Sequence, residues 1–123
     1  MKLKILIIGK NSFIGKNINK NLNKKLDIKK ICFDTFKIKK LFFFRQFDFI
    51  INCSITKEYI AKKYSLDNDL DFFVANKVKF TKCRYIFIST RNVYRSKFNI
   101  TEETPTRPIT PYGRNKLITE KKL

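Results

Sequence analysis

The sequence contains no histidine and only three cysteines, Cys32, Cys53 and Cys83. Without His, and with no cysteines at metal-ligand spacing, a zinc site is disfavoured. An odd cysteine count argues equally against a disulfide scaffold, so the thiols are expected to be reduced and buried. Long apolar runs are also missing. Those near residues 5 to 8 and 41 to 44 fall far short of the ~20 residues a membrane-spanning helix needs. A short apolar stretch follows Met1 to Lys4, but Gly9, Lys10, Asn11 and Ser12 interrupt it without a small-residue cleavage site. A cytoplasmic protein is therefore expected rather than a secreted one. There is no internal repeat, no low-complexity linker and no GxGxxG motif.

Acidic residues are scarce, ten against 28 basic ones, for a formal net charge of +18. Such a charge suits polyanions or an anionic membrane surface. The 22 lysines, however, run from Lys2 to Lys122 rather than gathering in one tract. That distribution fits non-specific polyanion binding better than a dedicated nucleic-acid site, although a basic nucleic-acid-binding protein stays among the alternatives. With 123 residues, 43% of them hydrophobic and 13 of them Phe, the chain suits one domain with a modest core.

Leu3 to Ile8 is a near-continuous apolar run, as in a parallel strand buried on both faces. Phe13, Ile14, Ile18, Leu22 and Leu26 recur at helical spacing and predict an apolar stripe packed on a sheet. Ile28 to Phe33 reads as a second strand ending at Asp34, and Phe47 to Cys53 as a third. Thr35 to Gln46, between them, fits either a short helix or an irregular apolar cover. Glu58 to Tyr64 predicts a short helical piece, and Leu70, Phe73, Val74 and Val78 one further helix. Tyr85 to Ser89 is a fourth strand. Pro105, Pro108 and Pro111 mark Phe98 to Pro111 as a loop. From Tyr112 onward the chain reads as helix, with Leu117 and Ile118 available for packing. This order predicts a doubly wound α/β arrangement around a parallel sheet.

The first strand runs directly into Gly9-Lys10-Asn11-Ser12-Phe13-Ile14-Gly15, which opens the first helix. Gly9 permits a tight turn, Gly15 permits close packing of helix on sheet, and unpaired amides at the helix start would face a pyrophosphate. Asp34 follows 19 residues after Gly15. A carboxylate there can accept hydrogen bonds from the adenosine ribose hydroxyls and repel a 2′-phosphate, which favours NAD over NADP. Lys37, Lys39 and Lys40 temper that preference.

After the fourth strand come Ser89 and Thr90, and later Pro111-Tyr112-Gly113-Arg114-Asn115-Lys116. Tyr112 and Lys116 share a helical face. An adjacent ammonium favours a phenolate, so Tyr112 would exchange a proton with an alcohol or carbonyl as hydride moves. Lys116 would also bind the nicotinamide ribose, and the Thr90 hydroxyl would hold the substrate oxygen.

Together these segments resemble the extended short-chain dehydrogenase/reductases of the NAD-dependent epimerase/dehydratase family, in their N-terminal part only. The resemblance implies a Rossmann-like fold, truncated after the helix carrying YxxxK, with 1–123 as an incomplete NAD(P)-binding domain. It implies Thr90, Tyr112 and Lys116 as catalytic positions, and Gly9, Ser12, Phe13, Ile14, Gly15, Asp34, Asn68 and Lys116 as cofactor-binding positions. Asn68 matches an asparagine that supports the site in that family. The expected substrate is a nucleotide-sugar or a related small molecule, and the expected activity that of an epimerase or keto-sugar reductase. Arg91 and Asn92 stand where dehydratases carry an Asp-Glu pair, which disfavours dehydration. Ser12 replaces the middle glycine, where its Cβ would crowd the pyrophosphate. Leu123 comes seven residues after Lys116, so a substrate-binding region would have to come from missing residues, a second chain or a homodimer. A non-catalytic nucleotide-binding or protein-interaction remnant is the other alternative.

Overall fold

Strand β1, Leu3–Ile8, buries three consecutive residues, Leu6, Ile7 and Ile8. Alternation of side chains sends Leu6 and Ile8 to one face and Ile7 to the other, so an unbroken apolar run is what a doubly covered strand requires. β1 pairs in parallel with β2, Leu26–Ile31, on one side and with β3, Phe49–Asn52, on the other. β4, Arg84–Ile86, pairs in parallel with β3. The sheet order is β2-β1-β3-β4. This all-parallel sheet with its helices is a Rossmann-like α/β fold.

The computed structural model describes residues 1–18, 24–94 and 99–123. They group into two compact units, 1–54 with 73–88, and 55–72 with 89–123. In the first unit the core joins Leu6, Ile8, Ile31 and Ile50 of the strands to Phe36, Phe44, Phe47, Val74 and Val78. Phe36 lies on helix α2, Phe33–Ile38, and Phe44 on helix α3, Leu41–Phe44. Their rings are 5.0 Å apart, so the stretch that the sequence left undecided is a pair of short helices presenting an aromatic cover. Lys77 donates to the Phe36 and Lys37 carbonyls at 3.1 and 2.6 Å, satisfying acceptors at the end of α2. Burial lowers the pKa of its ammonium.

Several expected boundaries shift. Helix α1 is Phe13–Asn17, and Leu26 begins β2 because it pairs with Leu3 in the parallel ladder. Leu22 lies outside the described residues. Phe13 is 82% exposed and Ile14 43%, whereas Gly15 is buried. The face of α1 nearest the end of β1 is too close for any side chain, so glycine makes the contact and the apolar residues point away. β2 ends at Ile31, earlier than expected, because Cys32 takes the N-cap position of α2; its thiol lies 3.0 Å from the Thr35 hydroxyl. β3 and β4 are shorter than their apolar runs. None of the three cysteines is in a disulfide, and they are half-buried rather than buried, since each lies just outside a strand.

The second unit contains helix α4, Lys57–Ala61, 3-10 turns at Leu66–Asn68 and Arg91–Val93, and helix α6, Pro111–Lys122. Helix α5, Leu70–Val78, begins in this unit and continues into the first. Val74 and Val78 are buried as the stripe predicted, but Phe73 is 44% exposed. Thr110 caps α6 by accepting from the Gly113 amide at 3.0 Å, and Pro111 occupies its first turn, so the last loop proline starts the helix. The buried face of α6 carries Gly113, Asn115, Lys116 and Thr119, while Leu117 and Ile118 are only half-buried. The packing face is thus polar, contrary to the apolar expectation. No helix among the described residues is long and apolar enough to cross a membrane.

Candidate functional site

The turn after β1 is built by the residues the sequence singles out. Gly9 has φ +92°, a left-handed conformation open to glycine, and a Cβ there would lie 2.7 Å from Ser54 Oγ. Its amide donates to the Ile31 carbonyl at 2.8 Å. Ser12 sits in the usual middle-glycine position and caps α1. Its Oγ accepts from the Gly15 amide at 3.1 Å and donates to the Gly9 carbonyl at 2.7 Å. A Cβ on Gly15 would fall 2.0 Å from the Gly9 carbonyl oxygen, so helix and strand end meet backbone to backbone.

The Phe13 and Ile14 amides precede the first amide that donates within the helix, that of Lys16 to the Ser12 carbonyl at 2.8 Å, and so have no acceptor inside it. In the sheet, β1 lies between β2 and β3, so successive connections leave it in opposite directions. That reversal creates the crevice where open parallel sheets bind ligands, at the carboxyl ends of the strands. The glycine-lined turn and its outward amides fit a pyrophosphate. Asp34 is in the first turn of α2 rather than at a strand end, and its carboxylate is 89% exposed. Lys37 pairs with it at 2.9 Å, so a ribose must compete with a solvated ion pair for the carboxylate.

In the second unit, Tyr112 and Lys116 lie on one face of α6, as their spacing requires. Lys116 Nζ is 5.9 Å from the Tyr112 ring centre and 5.7 Å from the Tyr59 ring centre. The ammonium is not a lone charge beside the phenol. It is 3.3 Å from the Asp71 carboxylate, and both side chains are 7% exposed. Burial, and then the Asp71 carboxylate, raise the Tyr112 pKa above its usual value. The direction is opposite to the phenolate-favouring effect expected of a nearby lysine, because burial disfavours the charged form and the Asp71 carboxylate adds to that.

Beneath this pair is a hydrogen-bonded chain absent from the sequence reading. Thr119 donates to Asp69 Oδ2 at 2.7 Å, and Tyr64 donates to the same oxygen at 2.7 Å. Thr119 has one hydroxyl proton. With that proton on Asp69, the 2.6 Å contact between Thr119 Oγ1 and Tyr59 has the Tyr59 hydroxyl as donor. Asp69 Oδ1 accepts from the Phe72 amide at 2.9 Å. Asn115 Nδ2 donates to the Tyr59 and Lys62 carbonyls at 2.7 and 2.8 Å. Burial raises the Tyr59 and Tyr64 pKa values, and for Tyr64 the bond to the Asp69 carboxylate adds to the rise. Asn68 is in the preceding 3-10 turn, where its amide donates to the Ser65 carbonyl.

Thr90 caps the turn Arg91–Val93, accepting from the Asn92 amide at 3.2 Å. Its hydroxyl lines a cavity of about 660 Å³ together with Ser89, Arg91, Tyr94 and Glu120. Ser89 donates to Glu120. Tyr112 is not in that lining; it packs edge-on against Tyr59 at 6.4 Å. The structure places Tyr112 and Lys116 together, and the turn that Thr90 caps meets α6 at Gly113, beside Tyr112, where a Cβ would lie 2.1 Å from the Asn92 carbonyl oxygen. A sequence signal for Asp71 existed: it is three and seven residues before Val74 and Val78, on the same buried face. No group of metal-ligating side chains occurs among the described residues.

No protein-family model matches this chain, and no curated protein sequence does. Solved structures do. A dTDP-4-dehydrorhamnose reductase from Clostridium acetobutylicum superposes with a TM-score of 0.68 at 25% identity, over 97% of this chain and 48% of its own. A UDP-N-acetylglucosamine 4-epimerase from Bacillus cereus gives 0.70 at 17% identity, over 98% and 53%. A UDP-glucuronic acid 4-epimerase from Bacillus cereus, in complex with NAD, gives 0.63 at 21% identity, over 97% and 50%. The chain spans about half the length of these proteins. The two epimerases, at their low identity, show the shared fold alone.

Proposed function

We propose that this chain is the dinucleotide-binding portion of an NAD-dependent nucleotide-sugar epimerase or keto-sugar reductase, with Tyr112 as its acid/base group. The observation that carries the reading is the turn Gly9 to Gly15. A left-handed glycine, a serine cap and a backbone-to-backbone contact aim the first amides of α1 outward at the carboxyl end of a central parallel strand. Phe13 and Ile14 would donate to the pyrophosphate, with Gly9, Ser12 and Gly15 fixing the turn. Asp34 would accept from the adenosine ribose in exchange for Lys37. Similarity in fold to the reductase and to an epimerase solved with NAD supports the cofactor class.

When bound, the nicotinamide supplies or accepts the hydride. Tyr112 would hold or release the proton at the substrate oxygen, Lys116 would contact the ribose, Thr90 would orient the substrate, and Asn68 would support the site. Calorimetric titration of the folded chain with NAD and NADP tests the reading, alongside hydrogen exchange at residues 9–15. Saturable NAD binding that slows exchange of the Phe13 and Ile14 amides is expected, with weaker NADP binding. A folded chain that binds neither nucleotide refutes it.

A further inference from the structure

We propose that Asp71 is a positioning residue that holds Lys116 and thereby makes Tyr112 a proton donor, suited to reducing a carbonyl rather than oxidising an alcohol. As to direction of reaction, the inference rests on the function proposed above. Its electrostatic part can be measured without any nucleotide.

The argument starts from the geometry of the second unit. Around the Tyr112 ring, Lys116 of α6 stands 5.9 Å from its centre and Tyr59 of α4 packs edge-on at 6.4 Å, while Asp71 of α5 pairs with that lysine. Of these, Asp71 and Lys116 carry charge and Tyr59 titrates. Lys116 Nζ and Asp71 Oδ2 are 3.3 Å apart and almost wholly shielded from water. A shielded ammonium alone would draw the neighbouring phenol toward ionisation. With the carboxylate beside it, the phenol meets a compact dipole rather than a bare positive charge, so the pull of the lysine toward the phenolate is cancelled. Burial, the larger cause, and Asp71 after it then keep the Tyr112 proton in place.

A phenol that keeps its proton at neutral pH serves one direction of reaction. As a carbonyl carbon takes a hydride from a reduced nicotinamide dinucleotide, the C=O π pair moves to oxygen. That oxygen bonds the Tyr112 proton, giving the alcohol. The phenolate left on Tyr112 is then reprotonated from water. The reverse reaction needs a base before hydride leaves, and Asp71 disfavours that base.

The test is a titration of ring-carbon-labelled tyrosine by NMR, with the Tyr112 resonance assigned by its loss in Tyr112→Phe. In the unaltered chain Tyr112 is expected to titrate above the ordinary phenol value of about 10. Asp71→Asn leaves the lysine charge unopposed and should lower the midpoint by about one pH unit or more. Asp71→Glu should restore most of the original midpoint. Lys116→Met, with Asp71 in place, should raise it further. Circular dichroism establishes that each variant is folded, and Lys116→Met keeps the test decisive if Asp71→Asn does not fold, since a midpoint that stays or falls there, with Asp71 left without the lysine, overturns the inference. An unchanged or higher midpoint in a folded Asp71→Asn chain overturns the inference. So does an Asp71→Glu midpoint displaced downward as far as that of Asp71→Asn. Failure of NAD binding with these titration shifts intact removes the proposed function while leaving the electrostatic role of Asp71 standing.

Discussion

Replacing Gly15 with alanine sets two opposite effects against each other, so the sign of the outcome is decisive. In an ordinary helix position the change stabilises, since alanine exceeds glycine in helix propensity by about 1 kcal/mol. Here the added methyl would lie 2.0 Å from the Gly9 carbonyl oxygen, 2.9 Å from the Gly9 carbonyl carbon and 2.9 Å from Ser12 Oγ. The nearest atom is backbone at the end of β1, so no side-chain rotation relieves the overlap. Either α1 moves away from the strand or the turn opens. Overpacking of this kind costs roughly 1–3 kcal/mol, and so short a contact belongs at the upper end. Set against the propensity gain, the net destabilisation is about 2 kcal/mol.

For 123 residues, an unfolding entropy of about 2.1 cal/mol/K per residue makes each kcal/mol roughly 4 °C in Tm. Gly15→Ala should therefore lower the thermal midpoint by about 8 °C, read by circular dichroism at matched concentration. Ser12→Ala, which removes the cap on the Gly15 amide and the bond to the Gly9 carbonyl without adding bulk, provides the scale at about 1 kcal/mol and roughly 4 °C. A Gly15→Ala chain as stable as the parent, or more so, would refute the close approach and with it the geometry of the turn between β1 and α1.

Thr119→Val removes a buried donor from Asp69 and the acceptor of Tyr59, so urea denaturation should show a loss of roughly 2–3 kcal/mol; a loss under about 0.5 kcal/mol, the range of neutral surface changes, would contradict the network. Burial raises the pKa values of Tyr59, Tyr64 and Tyr112 in the folded state, so above about pH 10 the unfolded chain releases these protons first and stability falls as pH rises. The urea midpoint should drop between about pH 9 and 11, with a shallower drop in Tyr59→Phe, and equal slopes in the two chains would count against the shift. The bond to the Thr35 hydroxyl, the largest cause, lowers the Cys32 pKa, so Thr35→Val should slow alkylation of Cys32 by iodoacetamide near neutral pH while leaving Cys83 unchanged. Equal Cys32 rates with and without the Thr35 hydroxyl would discount that cause.

Much of the first unit was legible because its signals are local. An unbroken apolar run marks β1, two glycines six residues apart mark the turn, and Val74 and Val78 mark the buried side of α5. Errors arose where two local signals overlapped. Leu26 continues the helical spacing from Phe13, yet it also stands opposite Leu3 in a parallel ladder, and pairing prevailed. Asp34 reads as the end of a strand because Ile31 and Phe33 are both apolar, yet α2 already begins at Phe33 with Cys32 at its N-cap position. Tyr112 and Lys116 were legible as a pair through their spacing. Their electrostatics were not, since Asp71 is 45 residues from Lys116 in sequence and meets it only through tertiary structure.

The second unit shows why the buried face of α6 escaped an apolar reading. Hydrophobic contacts tolerate sliding and rotation of a helix, whereas hydrogen bonds fix both, because distance and angle are restricted together. Asn115 fastens α6 to two carbonyls around α4, and one turn later Thr119 links Tyr59 to Asp69. These bonds set the rotation and the height of the helix, and therefore the direction from which Tyr112 and Lys116 leave it. A leucine-lined face of equal volume would satisfy the hydrophobic effect as well or better, since buried ion pairs contribute little net stability. It would not hold Lys116 against Asp71 at a set distance. The polar face of α6 is thus accounted for by the orientation of its tyrosine and lysine, which residues far away in sequence hold in place.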